Sequence, residues 1–261
     1  MRYPIFSILA AILYMYVISG CSVKEERDGC PCRLFLDMAS IDILDQSPLT
    51  LRVISDAGFE YSEVLEFDNF RDTCVIDVPK SDLYVVVWSG AAEYLDESGV
   101  TIPLGCDCPP VYICSKKICV GGEEAVYEQV NLKKNYCILS VEFAEPADVV
   151  GLVVRGEVAG FDRAGDPRPG DFRVSSMSDS VSDVLSRFYI PRQKQSCLYL
   201  DVTESDGMVK TFPLHEYISE LGYDWEANDL DDLNVILEYT PVGVSITIKG
   251  WEREIVIDVV I

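Results

Sequence analysis

The stretch Cys74-Val-Ile-Asp-Val-Pro-Lys-Ser-Asp-Leu-Tyr-Val-Val-Val-Trp-Ser-Gly90 decides the fold class of this chain. Residues 74–78 and 84–88 are apolar or alternating runs, rich in β-branched and aromatic side chains, and this composition is typical of β-strands. Residues 79–82 and 89–90 hold proline, serine, aspartate and glycine, which favour turns. The stretch therefore predicts two neighbouring strands of a β-sheet joined by a short turn.

The same pattern recurs along most of the chain, at a spacing of about 8 to 12 residues that is typical of β-sandwiches. Helix is scarce: residues 214–221 are the one segment with apolar side chains at helical spacing, and Gly222 follows as a C-terminal cap. Ser205-Asp-Gly207 predicts the turn of a hairpin, and Pro241-Val-Gly243 predicts another turn. Further strands are predicted at residues 34–38, 51–54, 126–132, 136–143, 149–158, 198–202, 209–212, 233–239, 244–248 and 255–261.

Two stretches interrupt this pattern. Residues 105–122 hold four cysteines, Pro109-Pro110 and Gly121-Gly122, and they predict an irregular excursion. Residues 162–171 are rich in glycine and proline, and they predict a loop. A second series of strands begins after residues 131–135, so we expect two β domains, at residues 30–132 and 133–261.

The chain begins with a short apolar segment that ends in Ile18-Ser-Gly-Cys21. One arginine, an apolar run and small residues before a cysteine are the features of a lipoprotein signal peptide. We therefore expect residues 1–20 to be removed between Gly20 and Cys21, and Cys21 to carry the lipid that anchors the chain. The alternative is an uncleaved transmembrane helix, because residues 3–20 are about long enough to span a bilayer.

Residues 21–29 are polar and charged after the cysteine, as expected of a solvated tether. Within them, Lys24-Glu25-Glu26 resembles the export signal, a lysine followed by acidic residues, that sends some lipoproteins of Bacteroidetes to the outer face of the outer membrane. The alternative interpretation is an ordinary charged linker.

Composition excludes some partners. Hydrophobic residues make up 49% of the chain, enough to bury real cores. Residues 21–261 hold 20 basic and 44 acidic side chains, a net charge of −24. Such a field repels phosphates, so we expect no nucleic acid partner.

The chain has ten cysteines, and nine remain if Cys21 is acylated. Four of them, Cys106, Cys108, Cys114 and Cys119, form the densest group. A disulfide within this loop, unpaired thiols and a zinc site are the alternatives for this group, although the spacing lacks paired Cys-x-x-Cys motifs and the only histidine is distant. We expect no metal and no other cofactor.

The C-terminal third resembles a known family. Residues 212–233, followed by a strand, a turn, a strand and Trp251-Glu252, are similar to the C-terminal signature of FimB-like fimbrial anchor lipoproteins of Bacteroidales. The lipobox, Cys30-Pro31 before the first strand, a strand ending at Trp88 and the stretch Tyr189-Ile-Pro-Arg192 also match. The cysteine group at 106–119 departs from the family.

This resemblance implies an all-β fold, with two tandem transthyretin-like β-sandwich domains and one short helix in the second. It also implies a fimbrium-anchoring subunit, which holds a fimbria to the cell outer membrane through its lipid and joins shaft subunits by β-strand addition. The candidate segments for strand exchange are the first strand, near residues 33–38, and the last, 254–261. Whether the chain donates or accepts a strand stays open.

Other functions have weaker support. Trp88, Trp225 or Trp251 could stack on glycans if the chain is instead a surface lipoprotein that binds sugars or a host protein, although we expect the three to pack in cores or at the domain junction. Residues 228–233 place Leu230 where a calcium loop needs an oxygen ligand, and they lack its central glycine, so Asp229, Asp231 and Asp232 indicate a solvated acidic turn. His215 could be a general base, yet no nucleophile or phosphate-binding motif accompanies it. We expect no enzyme and no catalytic residues.

Overall fold

A computed structural model describes residues 30–41, 48–66, 70–145, 148–177, 185–194, 197–240, 243–249 and 254–260. In these ranges the chain is built of β-strands, with a single α-helix and one turn of 3-10 helix at Ala92–Tyr94, so the predicted all-β class is confirmed. The strands are β1 (Cys32–Asp37), β2 (Leu49–Ser55), β3 (Glu60–Leu65), β4 (Thr73–Val78), β5 (Asp82–Ser89), β6 (Leu95–Asp96), β7 (Gly99–Thr101), β8 (Tyr112–Cys119), β9 (Ala125–Gln129), β10 (Lys133–Lys134), β11 (Tyr136–Phe143), β12 (Val149–Asp162), β13 (Pro167–Met177), β14 (Leu185–Pro191), β15 (Leu198–Glu204), β16 (Val209–Phe212), β17 (Leu233–Thr240), β18 (Gly243–Lys249) and β19 (Glu254–Val260), and the helix is α1 (Leu214–Leu221).

The strands form four sheets. Sheet I has the order β4-β1-β9, and sheet II has the order β10-β8-β5-β2-β3. Sheet III has the order β14-β11-β17-β18-β19, and sheet IV has the order β16-β15-β12-β7-β6, with β13 on the other edge of β12. Most pairs are antiparallel, but β1–β9 and β11–β17 are parallel.

Two hydrophobic cores hold the sheets together in pairs. The first core joins β1 and β4 of sheet I to β2 and β5 of sheet II, and it is made of residues between Cys32 and Val130. The second joins sheets III and IV, and α1 packs onto β15, β18 and β19 beside it. The molecule therefore contains two β-sandwiches, while the limits 30–132 and 133–261 of the two domains stay a prediction.

The stretch that decided the fold class forms β4 and β5. Every second residue of β4 is buried, from Cys74 to Val78, because alternate side chains of a strand point to opposite faces. Residues 85–88 of β5 are all buried, since Val85 and Val87 face the first core while Val86 and Trp88 face the second.

The helix α1 begins and ends where its sequence pattern predicts. Leu214, Ile218 and Leu221 are buried, one apolar stripe along the helix. Gly222 has φ of 79° and donates its N–H to the Ser219 carbonyl, and the Tyr223 N–H bonds the Ile218 carbonyl. This pair of bonds is a Schellman motif, and it needs the left-handed conformation that glycine adopts without strain.

Two predicted loops are partly strands. Residues 112–119 form β8, an inner strand of sheet II between β5 and β10, so an excursion across 105–122 is wrong for this part. Residues 167–171 begin β13, so a loop at 162–171 is also wrong there. In the described part of the chain β13 pairs only with β12, and an edge strand accepts prolines because it can turn the missing N–H away from the ladder.

Residues 91–111 leave the first sandwich and join the second core. Ala91, Val100 and Val111 are buried there, and β7 pairs with the end of β12. The β12–β13 turn approaches sheet II closely at Gly165. A side chain at this position would not fit, because its Cβ would lie 2.9 Å from the Ile113 side chain, and the φ of Gly165 is +88°. At the junction, each sandwich therefore has a segment that packs against the other sandwich.

Candidate subunit interface

The direction of the strands gives the molecule two poles. Because β10 pairs with the start of β8 at Tyr112 and leads into β11, the end of sheet II that holds Tyr112 faces the second sandwich. Cys32 pairs with Val78, and the chain returns from Val78 into β5 at Asp82, opposite Cys119 at the far end of β8. The start of the described chain therefore lies away from the junction, at what we call the tether pole.

The other end of the chain lies at the opposite pole. Strands β11 and β17 run in parallel away from the junction, β18 returns, and β19 runs outward again, with Glu254 opposite Lys249 and Val260 opposite Gly243. We call the end of the second sandwich that holds Val260 the distal pole. Residue 30, where the described chain begins, and the last described residue thus lie at opposite ends of the molecule.

The two edges of sheet III differ. Along β14, the Cys108 N–H donates to the Tyr189 carbonyl at 2.9 Å, and the Tyr189 N–H donates to the Asp107 carboxylate at 2.9 Å, so the segment at 107–108 covers this edge. Along β19, no other strand in the described ranges pairs with the outer edge. An unpaired edge is a template for a strand of another chain.

The inner face of β19 is only partly covered. Ile255, Ile257 and Val259 are half-buried, whereas their neighbours on β18, such as Ile246, are fully buried. On the outer face Val256 is 61% exposed, and the acidic Glu254 and Asp258 flank it. An added strand could therefore bury apolar surface that sheet III leaves open, and the carboxylates favour a strand with basic residues.

The first strand is placed differently from the last. β1 is the middle strand of sheet I, paired along its length with β4 on one side and with β9 on the other. Leu34 and Leu36 are fully buried. Of the two segments considered for strand exchange, residues 33–38 are thus an internal strand, and 254–260 form an edge strand.

Arg192 fixes the junction from the end of the stretch 189–192. Its buried guanidinium donates from Nε to Asn135 Oδ1 at 2.8 Å, from Nη1 to the Trp225 carbonyl, and from Nη2 to the Lys134 carbonyl at 3.2 Å and the Asn228 carbonyl at 3.4 Å. Burial lowers the pKa of this guanidinium from its ordinary value, although an arginine stays charged at any physiological pH. The residues that link the sandwiches are thereby tied to the loop after α1.

The sequence predicted a solvated acidic turn after α1, but the carboxylates of this turn also accept hydrogen bonds from other segments. Asp229 accepts the Lys134 N–H at 2.8 Å, and Asp232 accepts the Lys134 ammonium at 2.7 Å and the Ile138 N–H at 2.8 Å. The Asp231 carbonyl accepts the Tyr223 hydroxyl at 2.7 Å. These carboxylates hold the start of β11, so they have a positional role.

The two tryptophans among the described residues, Trp88 and Trp225, do not form an exposed aromatic site. Trp88 and Trp225 are buried in the second core, as expected for core residues. Trp88 packs edge-to-face with Phe161, their ring centroids 6.5 Å apart. Trp251 lies outside the described residues.

His215 is held by structural contacts. Its Nδ1 lies 3.1 Å from the Leu198 carbonyl oxygen, and its ring packs edge-to-face on Tyr199. The imidazole is half-buried, because β15 lies against this side of α1.

The cysteines of the 106–119 group point to different places. Cys108 lies in the second core, Cys114 lies in the first core, and Cys119 is exposed at the end of β8. Cys114 and Cys119 are about 16 Å apart along one strand, whereas a disulfide needs Cα atoms within about 7 Å. These residues and the half-buried Cys106 are free thiols, and burial raises the pKa of Cys108 well above its ordinary value.

The predicted anchor residues, Gly20, Cys21, Lys24, Glu25 and Glu26, lie outside the described residues. Among those that are described, none of the helices is long and apolar enough to cross a membrane. The described residues also contain no group of three or more histidine, cysteine or acidic side chains that could hold a metal ion.

Sequence comparison finds no matching protein-family model and no matching curated protein. Solved structures do match over most of both chains. The fimbrial anchor protein Mfa2 from Porphyromonas gingivalis has a TM-score of 0.62 at 12% identity, covering 85% of this chain and 98% of its own.

Two Bacteroides structures are equally similar. "Putative polysaccharide binding proteins" from Bacteroides thetaiotaomicron match with a TM-score of 0.61 at 13% identity, covering 87% of this chain and 98% of theirs. A "putative adhesin" from Bacteroides ovatus matches with a TM-score of 0.61 at 10% identity, covering 87% and 96%. At these identities the likeness shows a shared fold, and the resemblance to fimbrial anchor proteins of Bacteroidales is confirmed at that level.

Proposed function

We propose that this chain is a lipid-anchored subunit at the base of a fimbria, attached to the outer membrane through Cys21 and exposed at the cell surface. It joins a shaft subunit by addition of a partner strand along β19. The observation that carries this proposal is the open, half-buried edge of β19, which runs to the pole opposite the tether. An anchor needs its membrane attachment and its partner site at opposite ends.

Strand addition at β19 is tested by site-specific photocrosslinking. A benzoylphenylalanine at Val256, which is 61% exposed, should give a covalent adduct with shaft protein in cells that carry fimbriae. Val209 on β16 is 59% exposed and is the matched control, because it lies on the edge strand of sheet IV. Adducts at Val209 and none at Val256 would contradict the proposal, because the partner would then bind at sheet IV and not at β19 of sheet III.

The anchor is tested through Cys21. Cys21→Ala should release the protein into the periplasm or the medium and abolish labelling by an alkyne palmitate. Continued labelling and membrane pelleting of the variant contradict the anchor. Alanines at Lys24, Glu25 and Glu26 should leave lipidation intact but protect the protein from protease added to whole cells, and full protease sensitivity would show that these residues are an ordinary linker.

Glycan or host-protein binding through the tryptophans is the weaker candidate, because Trp88 and Trp225 are buried. Retention of the chain on a glycan array together with failure to copurify shaft protein would favour it.

A further inference from the structure

The outer face of sheet I carries an exposed apolar row with one side chain from each strand. Phe35 of β1 lies opposite Val75 of β4 and opposite Tyr127 of β9. Val75 is 51% exposed and Tyr127 is 73% exposed. The rings of Phe35 and Tyr127 are stacked, with centroids 4.5 Å apart and planes 11° apart. Contiguous exposed apolar surface of this kind marks a binding site more often than single exposed residues do.

Polar side chains flank this row on both sides. Arg33 and Asp77 are the next residues on this face toward the tether pole, two positions from Phe35 and Val75. They form an ion pair at 4.0 Å, and their side chains are largely exposed. Two positions the other way lie Asp37 and Gln129. The face thus offers a flat aromatic surface bordered by carboxylates, a guanidinium and an amide, with the charges of Arg33 and Asp77 balanced.

A groove runs beside the apolar row. Its volume is about 600 Å³, and Cys30, Arg33, Phe35, Asp77 and Tyr127 are among the residues that line it. This volume is within the range of small-ligand sites, about 300 to 1,000 Å³. A three-residue row is far smaller than the roughly 800 Å² that each partner contributes to a stable protein interface, so the face suits a small ligand better than a protein.

The position of the groove indicates where its ligand is. The groove begins at Cys30, and only the nine residues 21–29 separate it from the proposed anchor. A fully extended segment of this length spans at most about 32 Å. Because this inference rests on the proposed anchor at Cys21, the groove then lies within about 32 Å of the membrane, at the pole away from β19.

We infer that this face binds a saccharide unit of the glycolipid on the surface of the membrane to which the chain is anchored. A pyranose ring has a face of C–H groups, which suits the apolar surface of Tyr127 and Phe35. Its hydroxyl groups both donate and accept, which suits the carboxylates of Asp77 and Asp37, the guanidinium of Arg33 and the amide of Gln129. Such a contact sets the orientation of the chain on the membrane.

The test uses the unlipidated chain of residues 22–261 and two sets of vesicles of equal negative charge, phosphatidylcholine with lipopolysaccharide and phosphatidylcholine with phosphatidylglycerol, because the net charge of −24 opposes binding to any phosphate-bearing surface. Cosedimentation should show binding to the first set at least about tenfold tighter than to the second. Tyr127→Ala should weaken that binding about tenfold, and Tyr127→Phe should keep it, because the ring remains. Leu104→Ala is the matched control, since Leu104 is 64% exposed and lies outside the groove.

Melting temperatures separate loss of binding from loss of fold. If Tyr127→Ala lowers the melting temperature, Asp77→Asn serves as the second variant, because its exposed carboxylate contributes little to stability. Equal binding to both vesicle sets, or equal losses for Tyr127→Ala and Leu104→Ala, would overturn the inference. So would retention of soluble glycans without any preference for lipopolysaccharide vesicles. The chain in this assay carries no lipid, so a failure of acylation at Cys21 shows only in the labelling experiment.

Discussion

The first and last strands of the chain have similar sequences but different surroundings. In both, one face of the strand is apolar throughout and the opposite face mixes polar and apolar residues. β1 lies between two partners and buries Leu34 and Leu36 completely, whereas β19 has one partner and leaves Ile257 half-buried. The first described strand is therefore closed to a further strand, whereas the last one, which ends at the distal pole, is open to it.

Aspartate substitutions on the two strands should show the largest difference. Leu34→Asp removes a buried apolar side chain and places a carboxylate without a partner in the first core, which should cost at least about 5 kcal/mol. Ile257→Asp can turn its carboxylate toward water at the edge, so it should cost about 1 to 2 kcal/mol. Urea unfolding measures both, and equal losses would show that β19 is as closed as β1.

Loss of the Arg192 hydrogen bonds at the junction should have the next largest effect on stability. Arg192→Met leaves two buried and two part-buried acceptors without this donor, which should cost about 3 to 5 kcal/mol. Arg192→Lys keeps the charge but not the fork of donors, so its loss should be smaller. Two separate calorimetric transitions in the methionine variant would show that Arg192 couples the sandwiches, and a variant as stable as wild type would contradict this role.

Truncation after Glu254 tests the open edge directly. It removes three half-buried apolar side chains, which at about half of their full burial energy should cost roughly 2 to 4 kcal/mol. The second sandwich should stay folded, because β18 keeps its pairing with β17, but shaft protein should no longer copurify. A truncated chain that is normal in both melting temperature and copurification would refute a role for β19.

The smallest expected effect is an acid response at Asp201 in the second sandwich. Arg155 donates two hydrogen bonds to Asp201, at 2.6 and 2.9 Å, and Thr211 donates one at 2.7 Å. The bonds from Arg155 and then Thr211 hold the pKa of Asp201 below its ordinary value. The stabilisation is therefore complete above about pH 4, where an unfolded aspartate ionises, and it is lost as the pH falls toward the lower folded value.

Asp201→Asn should accordingly lower stability by about 1 kcal/mol at pH 7 and by less at pH 3. Asp77→Asn on sheet I is the control, because its partner Arg33 is 4.0 Å away and both side chains are exposed. Melting curves at the two pH values decide the matter. The same pH dependence in both variants would remove the distinction between the buried and the exposed ion pair.

Local patterns determined the elements themselves. The alternation at residues 74–78, 136–143 and 209–212 predicts strands that the structure has with nearly the same bounds, because a strand directs every second side chain to one face. The helix over residues 214–221 follows from its apolar spacing and from Gly222. The last strand was also named from its sequence as a candidate for contact with a partner.

Local signals are weaker where strand pairing outweighs the intrinsic propensity of the residues. Strand β8 contains Ser115, Lys116 and Lys117, and it is a strand because sheet II pairs it on both sides. Strand β14, the covering of its edge by residues 107–108 and the exposed row around Tyr127 were all missed. The alternation of residues 125–129 placed Tyr127 on one face of its strand, but only the fold shows which face is solvated.

Whether a strand becomes central or remains at an edge was decided by tertiary structure alone. β1 is closed by β9, which lies about 90 residues later in the chain, and sheet III is centred on a parallel pairing between β11 and β17 across a similar separation. Two segments with the same local preference for a strand cannot be told apart by their sequences, because the pairing with such distant strands decides their positions in the sheet. The sequence by itself therefore determined that residues 254–260 form a strand. The tertiary structure decided that this strand is an open edge, because β18 pairs with it on one side and no described strand pairs with it on the other. An edge or a central position is a property of the neighbouring strands and not of the segment.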